Sequence, residues 1–257
     1  MFKNIFIGGM LGILMLAGTA VYSAEPGKHL FILGGQSNMA GLDPNQAFTP
    51  AVSKAFGTGN VIVVKSANSG CPIRVWYRDW KPAKDWKPEK PGEEKWVENK
   101  VDYWGPVLMK AVKAAIAGEK LQTVTFIWMQ GESDAMQRHS AVYGESLRGL
   151  VRQLEQDLGR TDINVVIGRI SDFGVVRKWP HWLKVRQAQV EFAESSPRYA
   201  WVDTDDLNDG LNAKGIEIRN DLHYSVAGYK LLGERFAEKA IALVKAAACK
   251  SSVRSEK

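Results

Sequence analysis

Five short apolar runs divide the chain after residue 28, and each is rich in β-branched or aromatic side chains. They are continuous rather than alternating with polar residues, which is typical of strands that are buried on both faces of a sheet. The pattern therefore predicts β-strands over residues 29–34, 60–66, 122–129, 163–170 and 199–203.

Apolar residues at helical spacing occupy several stretches between and after these strands. The pattern predicts α-helices over residues 104–117, 141–158, 180–194 and 226–247, with Gly118 closing the first of them. Strands that alternate with helices are typical of βαβ units. We therefore expect an α/β domain with a parallel sheet and helices on both of its faces.

Residues 71–103 show no helix or strand period and are rich in Lys, Pro and Trp. A stretch this long inside a compact domain is usually either functional or disordered. The four tryptophans it contains (Trp76, Trp80, Trp86 and Trp96) argue against disorder. We expect an ordered insertion beside the functional site.

The N-terminal residues have the layout of a secretory signal peptide. Lys3 is followed by an apolar run over residues 5–20 and then by small residues. The alternative, a membrane anchor, is disfavoured because the run is shorter than the roughly 20 residues that span a bilayer. The pattern predicts a signal peptide over residues 1–24, a single domain over 25–250 and a polar tail over 251–257. The product is expected to be exported, either periplasmic or secreted, and free of the membrane after cleavage.

Charge and cysteine content limit the classes of partner. The net charge of +6 could attract an anionic substrate or reflect only a solvated basic face. No compact block of Lys and Arg accompanies a nucleic-acid motif, so no nucleic-acid partner is expected. Export permits a disulfide between Cys71 and Cys249, which the sequence leaves open. The histidines are dispersed, so no metal site is predicted.

Small and polar residues directly follow the first three predicted strands, at residues 34–41, 66–71 and 130–134. Ligands of open parallel sheets bind beyond the carboxyl ends of the strands. If the strand order is 2-1-3-4-5, these three strand ends are neighbours. The sequence therefore predicts that a binding site is built where they meet.

Ser37 is the candidate nucleophile, because the glycines before it allow a tight turn that exposes a hydroxyl group. The alternative is that Ser37 or Asn38 only caps a helix. A serine needs a base, and Asp221 and His223 stand together before the last helix. Asp221 would hold the tautomer of His223 that leaves Nε2 free for the serine. The alternative is a helix-entry loop with an incidental histidine.

Acyl transfer also requires hydrogen-bond donors for a developing oxyanion. The backbone N–H groups of Ser37 and Gly70 and the side-chain amide of Gln130 are the candidates. Glu132 and Asp134 follow Gln130 closely and could suggest the paired carboxylates of a glycosidase. We favour the interpretation that these two carboxylates hold loops by hydrogen bonds.

Four motifs in order resemble one branch of a known superfamily. Residues 35–39 (GQSNM), 69–76 (SGCPIRVW), 130–134 (QGESD) and 221–223 (DLH) are similar to the motifs of the SGNH (GDSL) hydrolases. The branch they resemble contains sialate O-acetylesterases and acetylxylan esterases. Each motif alone is modest, but four in the expected order are specific.

The resemblance implies a flavodoxin-like three-layer α/β/α sandwich with a five-stranded parallel sheet. It also implies a two-step acyl-enzyme mechanism without a cofactor. It assigns the nucleophile to Ser37, the base to His223, its orienting acid to Asp221, and oxyanion donation to the Ser37 and Gly70 amides. The superfamily at large has Gly-Asp-Ser in the first motif and an Asn donor in the third. This chain has Gln36 and residues 130–132 (QGE) at those places.

An acetylated carbohydrate is the expected substrate, because tryptophan rings offer flat apolar surfaces on which sugars stack. Arg74, Trp76 and Glu132 are the predicted substrate-binding side chains, although any one tryptophan could instead pack the insertion against the domain. The rival hypotheses are an esterase of small non-carbohydrate esters, a surface-polysaccharide deacetylase and a catalytically silent sugar-binding protein. The sequence leaves the sugar, the acyl group and the oligomeric state open.

Overall fold

A five-stranded parallel sheet forms the centre of the computed structural model, which describes residues 27–98 and 101–255, with side chains described to residue 248. The strands lie in the order β2-β1-β3-β4-β5. This order and the strand positions confirm the prediction to within about two residues at each end. The strands are β1 (Lys28–Gly35), β2 (Val61–Ala67), β3 (Leu121–Met129), β4 (Asn164–Gly168) and β5 (Tyr199–Val202).

The strand register sets the carboxyl ends of the three central strands at one level. Gly35, the last residue of β1, lies opposite Ala67 at the end of β2 and Met129 at the end of β3. β1 is buried at every position after Lys28, as its unbroken apolar run predicts. The segments that follow these three strands therefore emerge side by side, as expected.

Helices pack around the sheet as the fold class predicts, and α2 packs on α9, which lies against β3, β4 and β5. α6 packs on α8, which lies against β4 and β5. The predicted helices over 141–158, 180–194 and 226–247 correspond to α6, α8 and α9. The helices are α1 (Ser37–Gly41), α2 (Phe48–Phe56), α3 (Lys95–Glu98), α4 (Lys110–Ala115), α5 (Glu132–Met136), α6 (Ser140–Leu158), α7 (Phe173–Val176), α8 (Pro180–Glu194) and α9 (Val226–Ser255).

The predicted helix over 104–117 begins differently. Its first turn, Trp104–Met109, is a wider π-type turn that leads into α4. Asp102 Oδ1 accepts hydrogen bonds from the backbone N–H of Trp104 and Gly105, at 2.8 and 3.1 Å. The wide turn coincides with Gly-Pro, a pair that disfavours a regular α-helix. The pattern missed α2, where only Phe48 and Val52 are buried.

The insertion packs against the outer side of α6, so its predicted order is confirmed for the described residues. Arg78 donates to Gln153 Oε1 at 3.1 Å and forms an ion pair with Asp157 at 3.0 Å. Trp86 Nε1 donates to the main-chain oxygen of Gln137 at 3.1 Å. These contacts hold the insertion beside the segment that follows β3.

Several predictions fall partly or wholly outside the described residues. The predicted signal peptide over residues 1–24 lies outside them, as does the side chain of Cys249. Cys71 is buried and carries a free thiol. The backbone of α9 continues as a helix to Ser255, into the predicted polar tail. Within the described part of the chain, no helix combines the length and apolarity needed to cross a membrane.

We predict that Gly35→Ala destabilises the protein by about 3 kcal/mol or more. Gly35 has a φ of +148°, and a Cβ there would lie 2.0 Å from the main-chain oxygen of Met129. Gly59→Ala is the matched control, because a Cβ at Gly59 meets nothing within 4 Å. Urea unfolding of both variants is the measurement, and equal free energies of unfolding would contradict the prediction.

Candidate active site

Ser37 lies at the first residue of α1, directly beyond the carboxyl end of β1. The backbone N–H of Gln36 donates to the main-chain oxygen of Met129 at 3.0 Å, which ties the turn to β3. Gln36, not Ser37, is the N-cap residue of α1, and it makes no side-chain capping bond. The alternative in which Ser37 serves as a helix cap is therefore not what the structure shows. The serine is only partly buried.

The loop that carries Asp221 and His223 is bound to the residue after Ser37. Asn38 Nδ2 donates to the main-chain oxygen of Leu222 at 3.1 Å. On the other side of the amide, Asn38 Oδ1 accepts from the hydroxyl of Tyr229 in α9, also at 3.1 Å. The candidate nucleophile and the candidate base each stand one residue away from the Asn38–Leu222 hydrogen bond.

Asp221 and His223 are neighbours without a direct side-chain hydrogen bond. Asp221 Oδ1 lies 4.0 Å from His223 Nδ1, which is longer than a hydrogen bond. The same oxygen accepts from the backbone N–H of His223 at 2.9 Å, so the carboxylate fixes the loop instead. Catalytic hydrogen bonds are often long in unliganded enzymes and shorten when substrate binds.

Gly70 follows β2 on the other side of Ser37. The backbone N–H of Asn68 donates to the main-chain oxygen of Gly35 at 3.1 Å, so this segment is tied to the turn before Ser37. Gly70 has a φ of +71°, which glycine adopts without strain, and it is exposed. Its location is compatible with the predicted role of its N–H group as an oxyanion donor.

Gln130 does not have the role that the sequence predicts for it. The side chain is fully buried, and Nε2 donates to Gln36 Oε1 at 3.2 Å and to Asp134 Oδ2 at 2.5 Å. Both amide hydrogens are thereby used, so none is left for an oxyanion. The prediction of Gln130 as the third oxyanion donor is corrected: it joins the turn after β1 to the one after β3.

Glu132 and Asp134 hold loops, as the favoured interpretation expects. Glu132 Oε1 accepts from Asn38 Nδ2 at 2.8 Å, and Asp134 Oδ2 accepts from the backbone N–H of Ile73 at 2.8 Å. Glu132 is 1% exposed and Asp134 is fully buried. The prediction that Glu132 contacts substrate is therefore wrong, because its side chain does not reach the surface. For the same reason the glycosidase alternative lacks an open pair of carboxylates.

Burial changes the charge state of this carboxyl pair. Desolvation raises the pKa of Glu132 to about 7, partly opposed by the hydrogen bond from Asn38. Desolvation also raises the pKa of Asp134 to about 6, partly opposed by the hydrogen bond from Ile73. At neutral pH the Glu132 carboxyl group is therefore protonated in a large fraction of molecules.

Trp76 and Arg74 also differ from the expected substrate surface. Trp76 is 1% exposed and packs edge to face on Trp128, with ring centroids 5.6 Å apart. The prediction that Trp76 binds substrate is wrong, because neither ring face is open to a sugar. Arg74 is half-buried, and its Nη1 donates to Gln137 Oε1 at 2.6 Å. Arg74 borders a cavity of about 350 Å³ beside Trp80, so a substrate role for it stays a prediction.

Asn38 is a residue of the candidate site for which the sequence suggested only the alternative of a helix cap. Its position next to the candidate nucleophile is the one sequence feature that could have pointed to it. Its partners Glu132, Leu222 and Tyr229 come from three distant segments. No local pattern relates these segments, so only the folded chain reveals the connection.

We predict that Glu132 makes a contribution to the free energy of unfolding that falls as the pH rises from about 4.5 to about 7. In this window the unfolded chain loses the Glu132 proton while the folded chain keeps it, so protons favour the folded state. Above pH 7 the contribution of Glu132 is constant, and it lies about 3 kcal/mol below its value at acidic pH. Glu132→Gln should remove this part of the pH dependence.

The measurement is chemical denaturation of both proteins across this pH range. Glu145→Gln is the control, because Glu145 is exposed on α6 and pairs with Arg148 in the next turn. Parallel stability curves for the wild type and Glu132→Gln would show that the carboxyl group is not held protonated by burial.

Comparison with known proteins identifies the family. The family model "SASA: Carbohydrate esterase, sialic acid-specific acetylesterase" matches residues 41–242, which include Gly70, Gln130, Asp221 and His223 but begin after Ser37. The chain is also similar to an Arabidopsis thaliana protein described as probable carbohydrate esterase At4g34215. They are 22% identical over 204 residues, which are 78% of this chain and 64% of that protein. The chain thus spans less than two thirds of this curated relative.

Solved structures resemble the fold at low sequence identity. The chain is similar to Arabidopsis thaliana AT4G34215 with a TM-score of 0.60 and 19% identity, covering 84% of this chain and 99% of that one. It is similar to XAC1771 of Xanthomonas citri, described as a novel carbohydrate acetylesterase. The TM-score is 0.54 and the identity 15%, covering 84% of this chain and 56% of that one. It is also similar to NanS, with a TM-score of 0.53 and 12% identity, covering 86% of this chain and 98% of that one. Because the family model covers most of its length, the chain belongs to the SASA family of carbohydrate esterases.

Proposed function

We propose that this protein is a carbohydrate O-acetylesterase in which Ser37 is the nucleophile, His223 the base and Asp221 the residue that orients the base. The observation that carries the proposal is the hydrogen bond from Asn38 Nδ2 to the main-chain oxygen of Leu222, at 3.1 Å. It joins the turn of the nucleophile to the loop of the base. Two segments far apart in the sequence are thus held together at the carboxyl edge of the sheet.

In the first step, Ser37 Oγ attacks the carbonyl carbon of the acetyl ester while His223 Nε2 takes the hydroxyl proton. The carbonyl oxygen becomes an oxyanion that accepts hydrogen bonds from the backbone N–H groups of Ser37 and Gly70. The ester C–O bond then breaks. The sugar oxygen takes the proton from His223, and the acetyl group stays on Ser37.

In the second step, water attacks the acetyl-serine while His223 takes one of its protons. The tetrahedral intermediate uses the same two donors, acetate leaves, and Ser37 Oγ recovers its proton from His223. Asp221 stabilises the imidazolium that forms in both steps. With the Gln130 amide hydrogens used inside the protein, the oxyanion site rests on two backbone donors.

The substrate class rests on family membership together with the chemistry of the site. The matched family is described as containing carbohydrate esterases, and XAC1771 as a carbohydrate acetylesterase. The sequence identities are low, and the active-site environment differs from the predicted one at Trp76 and Gln130. Acetylated substrates of three kinds therefore test this assignment.

We predict that the wild type releases acetate from at least one of acetylated xylan, O-acetylated sialic acid and a small chromogenic acetate. Ser37→Ala should lose this activity, and Asp221→Asn should reduce kcat by roughly 10⁴-fold because the imidazole is then held in the wrong tautomer. Ser53→Ala, on α2 and away from the site, should behave as the wild type.

The substrates separate this proposal from its rivals. Activity on the chromogenic acetate alone would favour an esterase of small non-carbohydrate esters. Acetate release that survives Ser37→Ala would remove Ser37 from the mechanism. A wild type that releases no acetate from any of the three but binds the sugars would favour the silent sugar-binding alternative.

We also predict that Asn38→Ala lowers kcat by about 10²-fold with little change in KM for the chromogenic acetate. The variant loses the link between the nucleophile and the base, and small misplacements of reacting groups carry penalties of this size. Asn45→Ala is the control, because Asn45 is exposed. Steady-state kinetics are the measurement. An unchanged kcat would show that the Asn38–Leu222 hydrogen bond is not required to align the two residues.

A further inference from the structure

A hollow of about 310 Å³ lies between the segment that follows β3 and the segment that follows β4. Met136 and Arg138 line one side, and Trp179 and His181 line the other. Met136 is 41% exposed and Trp179 is 39% exposed. The volume is at the lower end of the range for small-molecule sites, roughly 300–1,000 Å³.

The ring of Trp179 is fixed in place before any ligand arrives. It packs edge to face on Phe173 and Trp182, with ring centroids 5.6 and 6.0 Å apart. Trp182 is itself buried, and its Nε1 donates to the main-chain oxygen of Ser171 at 2.7 Å. Because the ring is already immobilised, a ligand that stacks on it avoids much of the entropy cost of ordering it.

Polar groups border this apolar surface. His181 Nδ1 is hydrogen-bonded to Ser140 Oγ at 2.7 Å, which leaves Nε2 as the ring nitrogen for a ligand hydroxyl. Desolvation lowers the pKa of His181, which favours the neutral imidazole. Arg138 is paired with Glu93 at 2.9 Å and Glu89 at 3.2 Å, so it adds little free charge. An apolar face with neutral hydrogen-bonding groups beside it suits the ring of a sugar.

Both walls of the hollow are joined to the candidate active site. The wall with Met136 belongs to α5, which begins at Glu132, the partner of Asn38. On the other wall, the segment that leads to Trp179 is bound to the residue before Asp221. Arg177 Nη1 donates to Asn220 Oδ1 at 2.7 Å.

The second wall has one more such link. Asn220 Nδ2 donates to Asp172 Oδ1 at 3.3 Å, and Asn208 Nδ2 donates to the same oxygen at 3.2 Å. The segments that frame the hollow are therefore tied to the candidate active site, one through α5 and the other through the hydrogen bonds of Asn220.

We propose that this hollow is a subsite for a second sugar ring of an oligosaccharide substrate, with Trp179 as the stacking surface. The proposal rests on the proposed function, because it assigns to the hollow a ring next to the one that carries the acetyl group. The connection of both walls to segments of the candidate site favours such a ring over an unrelated protein partner.

The test compares Trp179→Ala with the wild type on matched esters of different length. The substrates are a chromogenic acetate, O-acetylated sialic acid beside O-acetylated sialyl-lactose, and acetylated xylose beside acetylated xylotetraose. For whichever sugar pair is hydrolysed, KM for the longer member should rise about tenfold in the variant. KM for the shorter member and for the chromogenic acetate should not change. Trp179→Phe keeps an aromatic ring and should recover most of the affinity.

Two further variants keep the test independent of folding defects. Met136→Glu changes the opposite wall at an exposed side chain and should raise the same KM. Leu183→Ala removes an exposed apolar side chain of α8 that does not line the hollow, and it should have no effect. Equal KM values in the wild type, Trp179→Ala and Met136→Glu would overturn the proposal. A rise in KM that is the same for the long and the short substrates would also overturn it.

Direct binding separates this proposal from the proposed function. Xylotetraose and sialyl-lactose are titrated by calorimetry into Ser37→Ala and into Ser37→Ala combined with Trp179→Ala. Binding of either sugar that weakens about tenfold in the double variant supports the subsite even if no acetate is released by the wild type. If no sugar that binds depends on Trp179, or if neither sugar binds, the proposal is overturned. If Trp179 is required for binding a hydrophobic protein but not for binding either sugar, this result also counts against the proposal.

Discussion

The main-chain oxygen of Met129 lies so close to Gly35 that a Cβ at this position would be 2.0 Å away. This close approach allows the chain to turn sharply at the end of β1 while it stays tied to β3 through Gln36. Ser37 and Asn38 then stand over the middle of the sheet. From there Asn38 reaches both the turn after β3 and the loop before α9. The rest of the site is arranged around a position that only glycine can occupy without displacing a strand.

Buried polar groups connect the three strand ends, and they do so at a cost in stability. Gln36, Gln130, Glu132 and Asp134 are almost wholly buried and bind one another or the backbone of neighbouring turns. Burial of carboxyl groups in such a network favours their neutral forms, so the network is less stable at neutral pH than at mildly acidic pH. The same network holds each loop in a single arrangement, because a displaced loop would leave buried polar groups without hydrogen bonds. This is a physical reason to find such groups beneath an active site rather than in the core at large.

Much of the fold could be predicted from the sequence because its signals are local. The five strands are continuous apolar runs, α6 and α9 have clear helical spacing, and the segments after the strands are rich in glycine and polar residues. The strand order required the assumption that these segments converge. By contrast, α2 buries only Phe48 and Val52, so its pattern is too weak to detect. The backbone N–H of Trp104, where the wide turn begins, is bound by the side chain of Asp102, a contact that no periodicity encodes.

The candidate site was predictable in its residue types but not in their partners. Ser37, Gly70, Asp221 and His223 stand out in short motifs. The roles of Gln130 and Glu132 depend on their hydrogen-bond partners, among them Gln36 and Asn38 from the turn after β1. A motif shows that an amide or a carboxylate is present, but not whether its hydrogens and lone pairs are already used. Burial and hydrogen-bond partners supply that information, and in both cases they replace a predicted contact with a ligand by a contact within the protein.

Burial and packing partners also decide which tryptophans can contact a ligand. Trp76 packs in the core, and Trp80 and Trp86 enclose His139, with ring centroids 5.1 and 5.2 Å from the imidazole. Desolvation lowers the pKa of this histidine to about 4, so it is neutral between the two rings. The insertion therefore uses its aromatic side chains to cover the turn between α5 and α6, which stabilises the segment that carries Gln130 and Glu132. Trp179, which directly precedes α8, has a ring that is held by two aromatic neighbours and is 39% exposed. An aromatic side chain offers a ligand surface only where the fold supports the ring and leaves part of it exposed.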